Sequence, residues 1–191
     1  MALFDEMPRI EGDRLLLREI VDSDADALAE LAKSTAVYRF EPTFLYEQRY
    51  DDPHVAIANM RAECFDTHES ILLAICFRDK PEEMLGIAEF YAYEPRKPKV
   101  SIGCRLIKSY WGLGIASEVA GMLKDWLLNE AGIRTITAHV QVGNDASERT
   151  LEKNGFVCLY PNVWEDWGHG EPVLVDKWIY KRRWLETGPD V

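Results

Sequence analysis

The chain has 191 residues, 47% of them hydrophobic and 29% charged, a length and composition that build one domain with a sizeable core and exclude a disordered chain. Its formal net charge of −11 argues against a general nucleic-acid surface, which needs clustered Lys and Arg; the same field attracts a cationic substrate and also serves solubility. Cys64, Cys76, Cys104 and Cys158 are far apart, with no CxxC and no His at ligand spacing, so neither a disulfide framework nor a metal site is expected.

The opening MALFDEMPRIEGD is too acidic and too poor in apolar residues for a secretory signal. No run approaches the length of a membrane span, so a reducing cytoplasm with no membrane partner is expected. Residues 1–12 read as an N-terminal extension and 185–191 as a tail, around a single domain spanning 1–191. RLLLREI, Arg14 to Ile20, is a short apolar strand. DSDADALAELAK follows with Ala25, Leu28, Ala29, Leu31 and Ala32 on one helical face and Asp22 or Ser23 as N-cap. An irregular stretch rich in aromatics leads to Asp52-Pro53, which reads as N-cap and N1 of a second helix running to about Glu63. Three strands then alternate with short turns: Ser70 to Arg78, Met84 to Tyr93 and Lys99 to Ile107. That is an antiparallel meander. From Ile115, apolar Ala116, Val119, Ala120, Leu123, Trp126 and Leu127 recur with the helical period, and Gly132 stops the helix. A strand, Arg134 to Val142, precedes a short helix capped by Asn144 or Asp145 and ended by Asn154-Gly155. Phe156 to Tyr160 is a strand end, EDWGHGEP a loop, and VLVDKWIYKRRW the last strand. The order of elements predicts an α+β domain, a mixed and mostly antiparallel central sheet flanked by helices.

Two glycines, Gly112 and Gly114, stand where the helix from Ile115 begins. A helix start carries unpaired N–H groups and a partial positive charge, so it can hold a phosphate, and glycine lets the backbone approach the anion closely. An isolated GxG reads equally as a flexible loop with close helix packing. A P-loop needs Lys-Ser or Lys-Thr after the second glycine, where Ile115-Ala116 stands. A dinucleotide fold needs glycines opening a parallel βαβ unit, whereas an antiparallel meander comes first here. The remaining nucleotide reading is coenzyme A.

SIGCRLIKSYWGLGIASE and RTITAHVQVGNDASERTLEKNGF, at this separation, resemble the GNAT superfamily of N-acetyltransferases, in particular its ribosomal-protein-acetyltransferase (RimJ/RimL-type) branch. The resemblance runs from RLLLREI to VDKWIYKRRW. It implies acetyl-CoA as donor and a phosphate-binding loop at Trp111, Gly112, Leu113, Gly114, Ile115, Ala116 and Ser117. Many relatives have Gln or Arg where Trp111 stands. The strand Ile102 to Ile107 would pair with the pantetheine arm, Asn144 would hydrogen-bond it, and Lys153 would reach the nucleotide phosphates or stay solvated.

Acetyl transfer to an amine sets three tasks: deprotonate the amine, stabilise the oxyanion and protonate the leaving thiolate. Candidate bases are Glu89, mid-strand, which reads equally as a solvated or salt-bridged carboxylate, and Glu41, in the aromatic stretch, where a loop carboxylate is more often simply solvated. Many relatives carry a Glu where this chain has Ser101. The Tyr that many relatives use as acid is replaced by Leu151, and Ser147 is the alternative donor, or only a first-turn cap. His139, beside the donor site, is more often a structural histidine than a catalytic one. Aromatics Tyr38, Phe40, Phe44, Tyr46 and Trp164 to Trp167 either line an acceptor pocket or cover core edges. The expected activity is direct transfer to a primary amine (a protein N-terminus, polyamine, aminoglycoside or amino-sugar), with no nucleic-acid partner and homodimerisation left open. A CoA-binding sensor or interaction module without turnover is the competing expectation.

Overall fold

The structure, a computed structural model, describes residues 3–41, 46–167 and 171–181. Strands β1 (Ile10–Glu11) and β2 (Leu15–Glu19) form a hairpin. A single 3-10 turn, Asp22–Asp24, leads into helix α1 (Ala25–Ala32). The cap differs from the expected Asp22 or Ser23. Buried Asp24 turns back to accept from the Val21 N–H at 2.8 Å and is gripped by the Arg18 guanidinium at 2.7 and 2.8 Å. Helix α2 (Pro53–Met60) is capped as predicted, Asp52 accepting from the His54 N–H at 2.9 Å, and runs on into a π turn over Arg61–Phe65.

The meander is present as β3 (Ser70–Phe77), β4 (Lys80–Glu94) and β5 (Lys99–Leu106). β4 starts at Lys80 rather than Met84, because Phe77 pairs with Lys80 across a tight Arg78-Asp79 turn and two register shifts absorb the extra residues. β3 is apolar from Ile71 to Phe77 because both of its faces are covered. Ile71, Leu73 and Ile75 enter one core, while Leu72, Ala74 and Cys76 enter the other. Helix α3 (Ile115–Asn129), β6 (Thr135–Gln141) and α4 (Asp145–Lys153) follow, with helix stops at Gly132 and Gly155 as expected.

The closing pair is β7 (Val157–Glu165) and β8 (Val173–Lys181). β7 does not end at Tyr160. Proline lacks the N–H of a regular ladder, yet Pro161 falls inside the second of two register shifts on this edge strand, between Tyr160 and Val163, and Asn162 adopts φ 56 while donating its N–H to Asp176 at 2.7 Å. The breaker is thus housed in a bulge and the strand continues. The last strand is described as far as Lys181.

The eight strands form one sheet in the order β1-β2-β3-β4-β5-β6-β8-β7. Every pair is antiparallel except β5 with β6, so the fold is a single α+β domain on a mixed sheet. One core lies under α3 and α4, where Val119, Leu123, Leu127 and Leu151 meet Phe90, Ile102, Ile136 and Trp178. The other lies under α1 and α2, where Leu28, Leu31, Ala56 and Met60 meet Leu72, Ala74 and Ile87. Residues 3–12 belong to the first core: Leu3 and Ile10 are buried in it. Among the described residues no helix is long and apolar enough to cross a membrane.

Candidate active site

The parallel pair creates the site. β5 and β6 are partners only over Lys99–Ser101 and Thr135–Thr137; beyond that the strands diverge. Ser101 and Thr137 close the last pair with a buried hydroxyl–hydroxyl bond of 2.8 Å. Backbone groups of residues 102–106 on that edge then have no neighbouring strand to satisfy them. The fork opens into a cleft of about 1400 Å³ that reaches both faces of the sheet. Ile102, Cys104, Leu106, Ala138 and Val140 border it towards α3 and α4, while Glu89, Tyr91, Arg105 and His139 border it towards α1 and α2.

On the α3 side the cleft ends at the glycine turn. Gly112 and Gly114 have φ of 75 and 74, the left-handed region closed to most side chains. Gly114 is the N-cap of α3 and no side chain caps that helix, so the first-turn N–H groups of Ile115, Ala116 and Ser117 have no partner within the helix. A Cβ placed on Gly112 would meet nothing within 4 Å, so the turn is open above it. The residue just before β2 holds this loop. Arg14 donates to the Leu113 carbonyl at 2.9 Å and to the Glu118 carboxylate at 2.5 Å. The cation offsets the one acidic side chain of the first helical turn, which otherwise competes with an incoming anion for the helix start. The indole N–H of Trp111 donates to the Leu106 carbonyl at 2.9 Å and ties the turn to the end of β5.

The other face carries a buried charge network. Arg105 donates from Nε and Nη2 to both oxygens of Glu47, the second at 2.7 Å, and from Nη1 to Glu89 at 2.8 Å. The Tyr38 hydroxyl also donates to Glu47. Burial alone would raise the Glu47 carboxyl, but the Arg105 guanidinium holds it below the ordinary carboxylate range. Burial outweighs Arg105 at Glu89 and raises it. Burial, opposed by Arg105 and helped by Glu89 and Glu47, pushes the Glu41 carboxyl up to about 7. Burial likewise pushes the thiols of Cys64 and Cys104, which border the cleft, up to about 11 and about 12.

α4 delivers Ser147 to the fork. Asn144 is its N-cap, and its side-chain oxygen accepts from the Ser147 N–H at 3.4 Å. That contact serves the helix start and leaves the Ser147 hydroxyl free of the cap. On β6, His139 meets Glu165 of β7 through Nδ1 at 3.0 Å.

Most sequence-predicted positions converge on this cleft: Glu41, Glu89, Trp111, Gly112, Gly114, Ile115, Ala116, Ser117, Asn144, Ser147 and Lys153 all border it. Two do not. Ile107 is buried in the α1/α2 core and gives its N–H to the Leu85 carbonyl at 2.9 Å, because the chain turns sharply just past β5. The Leu113 side chain is exposed and only its carbonyl is engaged. Of the aromatics, Phe40, Tyr46, Trp164 and Trp167 border the cleft. Tyr38 supports the network behind it, and Phe44 lies outside the described residues. Sequence reasoning passed over Arg105, Glu47 and Glu165. A lone cation inside the apolar run SIGCRLI was the available signal for Arg105. Among the described residues no group of three or more His, Cys, Asp or Glu is arranged to hold a metal ion.

A sheet forked at one parallel pair, with a bare helix start at the fork, is neither a dinucleotide-binding nor a P-loop fold. A family model described as an acetyltransferase (GNAT) domain matches residues 14–157. The Bacillus subtilis (strain 168) protein named uncharacterized N-acetyltransferase YoaA is 30% identical over 149 residues, covering 78% of this chain and 82% of that one. The chain belongs to the GNAT acetyltransferase family and is an N-acetyltransferase. Solved structures share the fold. RimL, a ribosomal L7/L12 alpha-N-protein acetyltransferase in complex with coenzyme A, aligns with TM-score 0.74 at 20% identity over 91% of this chain and 98% of that one. Spermidine N-acetyltransferase from Vibrio cholerae, in complex with CoA and spermine, aligns with TM-score 0.72 at 15% identity over 90% and 97%.

Proposed function

We propose that this N-acetyltransferase takes its acetyl group from acetyl-CoA and passes it directly to a primary amine on a cationic acceptor. The observation that carries the reading is the uncapped start of α3, with Gly112 and Gly114 both left-handed, at the mouth of the β5–β6 fork. Acetyl-CoA supplies the activated thioester. The amides of Gly112 to Ser117 receive its diphosphate, and Lys153 adds a charge from the end of α4. The unpaired edge of β5 receives the pantetheine arm as a strand would, with Asn144 at the facing helix start. An amide on that edge also meets the oxyanion that forms at the acetyl carbonyl. The Ser147 hydroxyl hydrogen-bonds the departing sulfur and hands it a proton.

The acceptor enters from the opposite face. Glu41 and Glu89 receive its ammonium; Glu89 holds it by charge, since one of its oxygens is already bound to Arg105. Glu69, Glu165 and Asp166 also border the cleft, which favours a polyamine or a basic protein N-terminus over a neutral amine. The names of the two solved neighbours point to the same acceptors, a protein N-terminus and spermidine. Transfer is direct because the cleft cysteines keep their protons near neutral pH, and a thiol is a poor nucleophile.

Calorimetry with CoA, and thiol release from acetyl-CoA with spermidine and with a basic peptide bearing a free N-terminus, test the reading. Uptake of CoA and amine-dependent thiol release are expected. Ser147→Ala should lower turnover by about a hundredfold while CoA affinity holds. Absence of CoA uptake sinks the proposal, and unchanged turnover removes Ser147 from it.

A further inference from the structure

We propose that His139 takes the proton that the acceptor amine gives up, and that Glu165 holds its ring in the orientation this needs. The inference rests on the acetyl-transfer reading above and names its base. His139 stands two residues past Thr137, the last paired position of β6 on the forked edge, and it borders the cleft. Side chains alternate along a strand. Ala138 and Val140 therefore face the α3/α4 core, while His139 shares the opposite face with Thr137. Ser101, bonded to Thr137, lies opposite Tyr91, and Glu89 opposite Gly103 on that same face. His139 thus stands on the side from which the acceptor enters, with β5 between it and Glu89 of β4.

The ring is held at one nitrogen. Nδ1 faces Glu165 at 3.0 Å, and that carboxylate is fixed by Lys177 from β8 at 2.6 Å and by the Trp167 indole N–H at 3.1 Å. A carboxylate accepts, so Nδ1 carries the proton of the neutral ring and Nε2 carries the lone pair. Nε2 has no hydrogen-bond partner among the described residues. The charged groups around the ring are Glu165 on β7, Lys177 on β8 and Lys99 on β5. Burial lowers the proton affinity of His139, Lys177 and Lys99 add to this, and Glu165 opposes it. The ring is therefore neutral at neutral pH and ready to accept. Glu47 and Glu89 fit the task less well: Glu47 is forked to Arg105 and Glu89 has one oxygen on the same cation.

The balance closes with groups already named. The ammonium gives one proton to Nε2 and its nitrogen gains a free electron pair. That pair forms the bond to the acetyl carbon. The carbon–sulfur bond breaks with its electrons on sulfur, a second proton from the nitrogen ends on the thiol by way of Ser147, and His139 returns its proton to water.

Two measurements test this on the full chain. In ¹⁵N spectra of the histidine side chains, with His139→Gln identifying the signals, His139 should show the Nδ1–H tautomer and titrate below a free histidine. Glu165→Gln should mix the tautomers. An Nε2–H tautomer, or a ring protonated at pH 7.5, overturns the proposal without any need for a substrate. In the spermidine and peptide assays, His139→Gln should lower kcat by about a hundredfold, leave CoA affinity by calorimetry unchanged, and remove the acid limb of the kcat/KM profile that it controls. Full turnover in His139→Gln, with CoA still bound, overturns His139 alone; if Glu41→Gln then loses that limb, Glu41 is the base. No CoA uptake by the unaltered protein overturns the acetyl-transfer reading instead.

Discussion

The two mouths of the cleft are built on opposite principles. At the start of α3 the proposed recognition surface is backbone: first-turn amides, two left-handed glycines and a loop held from behind by Arg14. On the α1/α2 face it is side chain: Arg105, Glu47, Glu89 and Tyr38 in one buried network, with Glu41 nearby. Backbone recognition tolerates changes of side chain but not of φ. Side-chain recognition tolerates local shifts but not the loss of one charge. A phosphate is the same on every CoA, so a fixed backbone cradle suits it. Acceptor amines differ, and exchangeable side chains suit them.

The largest test of this contrast is Arg105→Leu. It leaves Glu47 and Glu89 buried without their cation, and breaking such a cluster costs ~3–5 kcal/mol. Urea unfolding should show that loss, whereas Arg14→Leu, at a partly exposed pair, should cost far less. Equal losses would erase the distinction. Next comes Gly114→Val. A β-branched residue in the left-handed region costs ~1–2 kcal/mol, and the displaced turn should weaken CoA by about tenfold or more, equivalent to ~1.4 kcal/mol. Calorimetry and a thermal melt separate the two effects; unchanged affinity places the cradle elsewhere.

The smallest effect is a pH slope on the charged side. The folded chain keeps a proton on Glu41 up to about 7, whereas an unfolded carboxyl loses it near ~4.3. Between those values the native state binds more protons, so this group makes stability fall as pH rises. Glu47, held low, acts the other way: its contribution is present above the unfolded value and is lost as pH falls through its folded value. Glu41→Gln should therefore melt progressively higher than the parent as pH rises from 4.5 to 7.5. A constant difference would mean Glu41 titrates normally.

The donor half was legible in the sequence because its signals are local. Gly112 and Gly114, the period from Ile115, and Asn144 to Ser147 each lie within one turn or one helix, and their resemblance to a family pointed to coenzyme A. The acceptor half depends on long-range pairing. Arg105 and Glu47 are 58 positions apart, and His139 and Glu165 are 26 apart. Nothing in the local pattern of EQRYDD distinguishes a buried Glu from a solvated one. The strand errors have the same origin. Pro161 reads as a stop in isolation, and only the register against β8 reveals the bulge that accommodates it.

Only Lys99 to Ser101 join β5 to β6 by ladder bonds, so the eight strands behave as two plates stitched along one short seam, with α3 and α4 bolted across it. Anything extended that lies in the open part of the seam lengthens the stitching. An occupant there should therefore tighten the joint between the plates, read as slower amide exchange along β5 and β6.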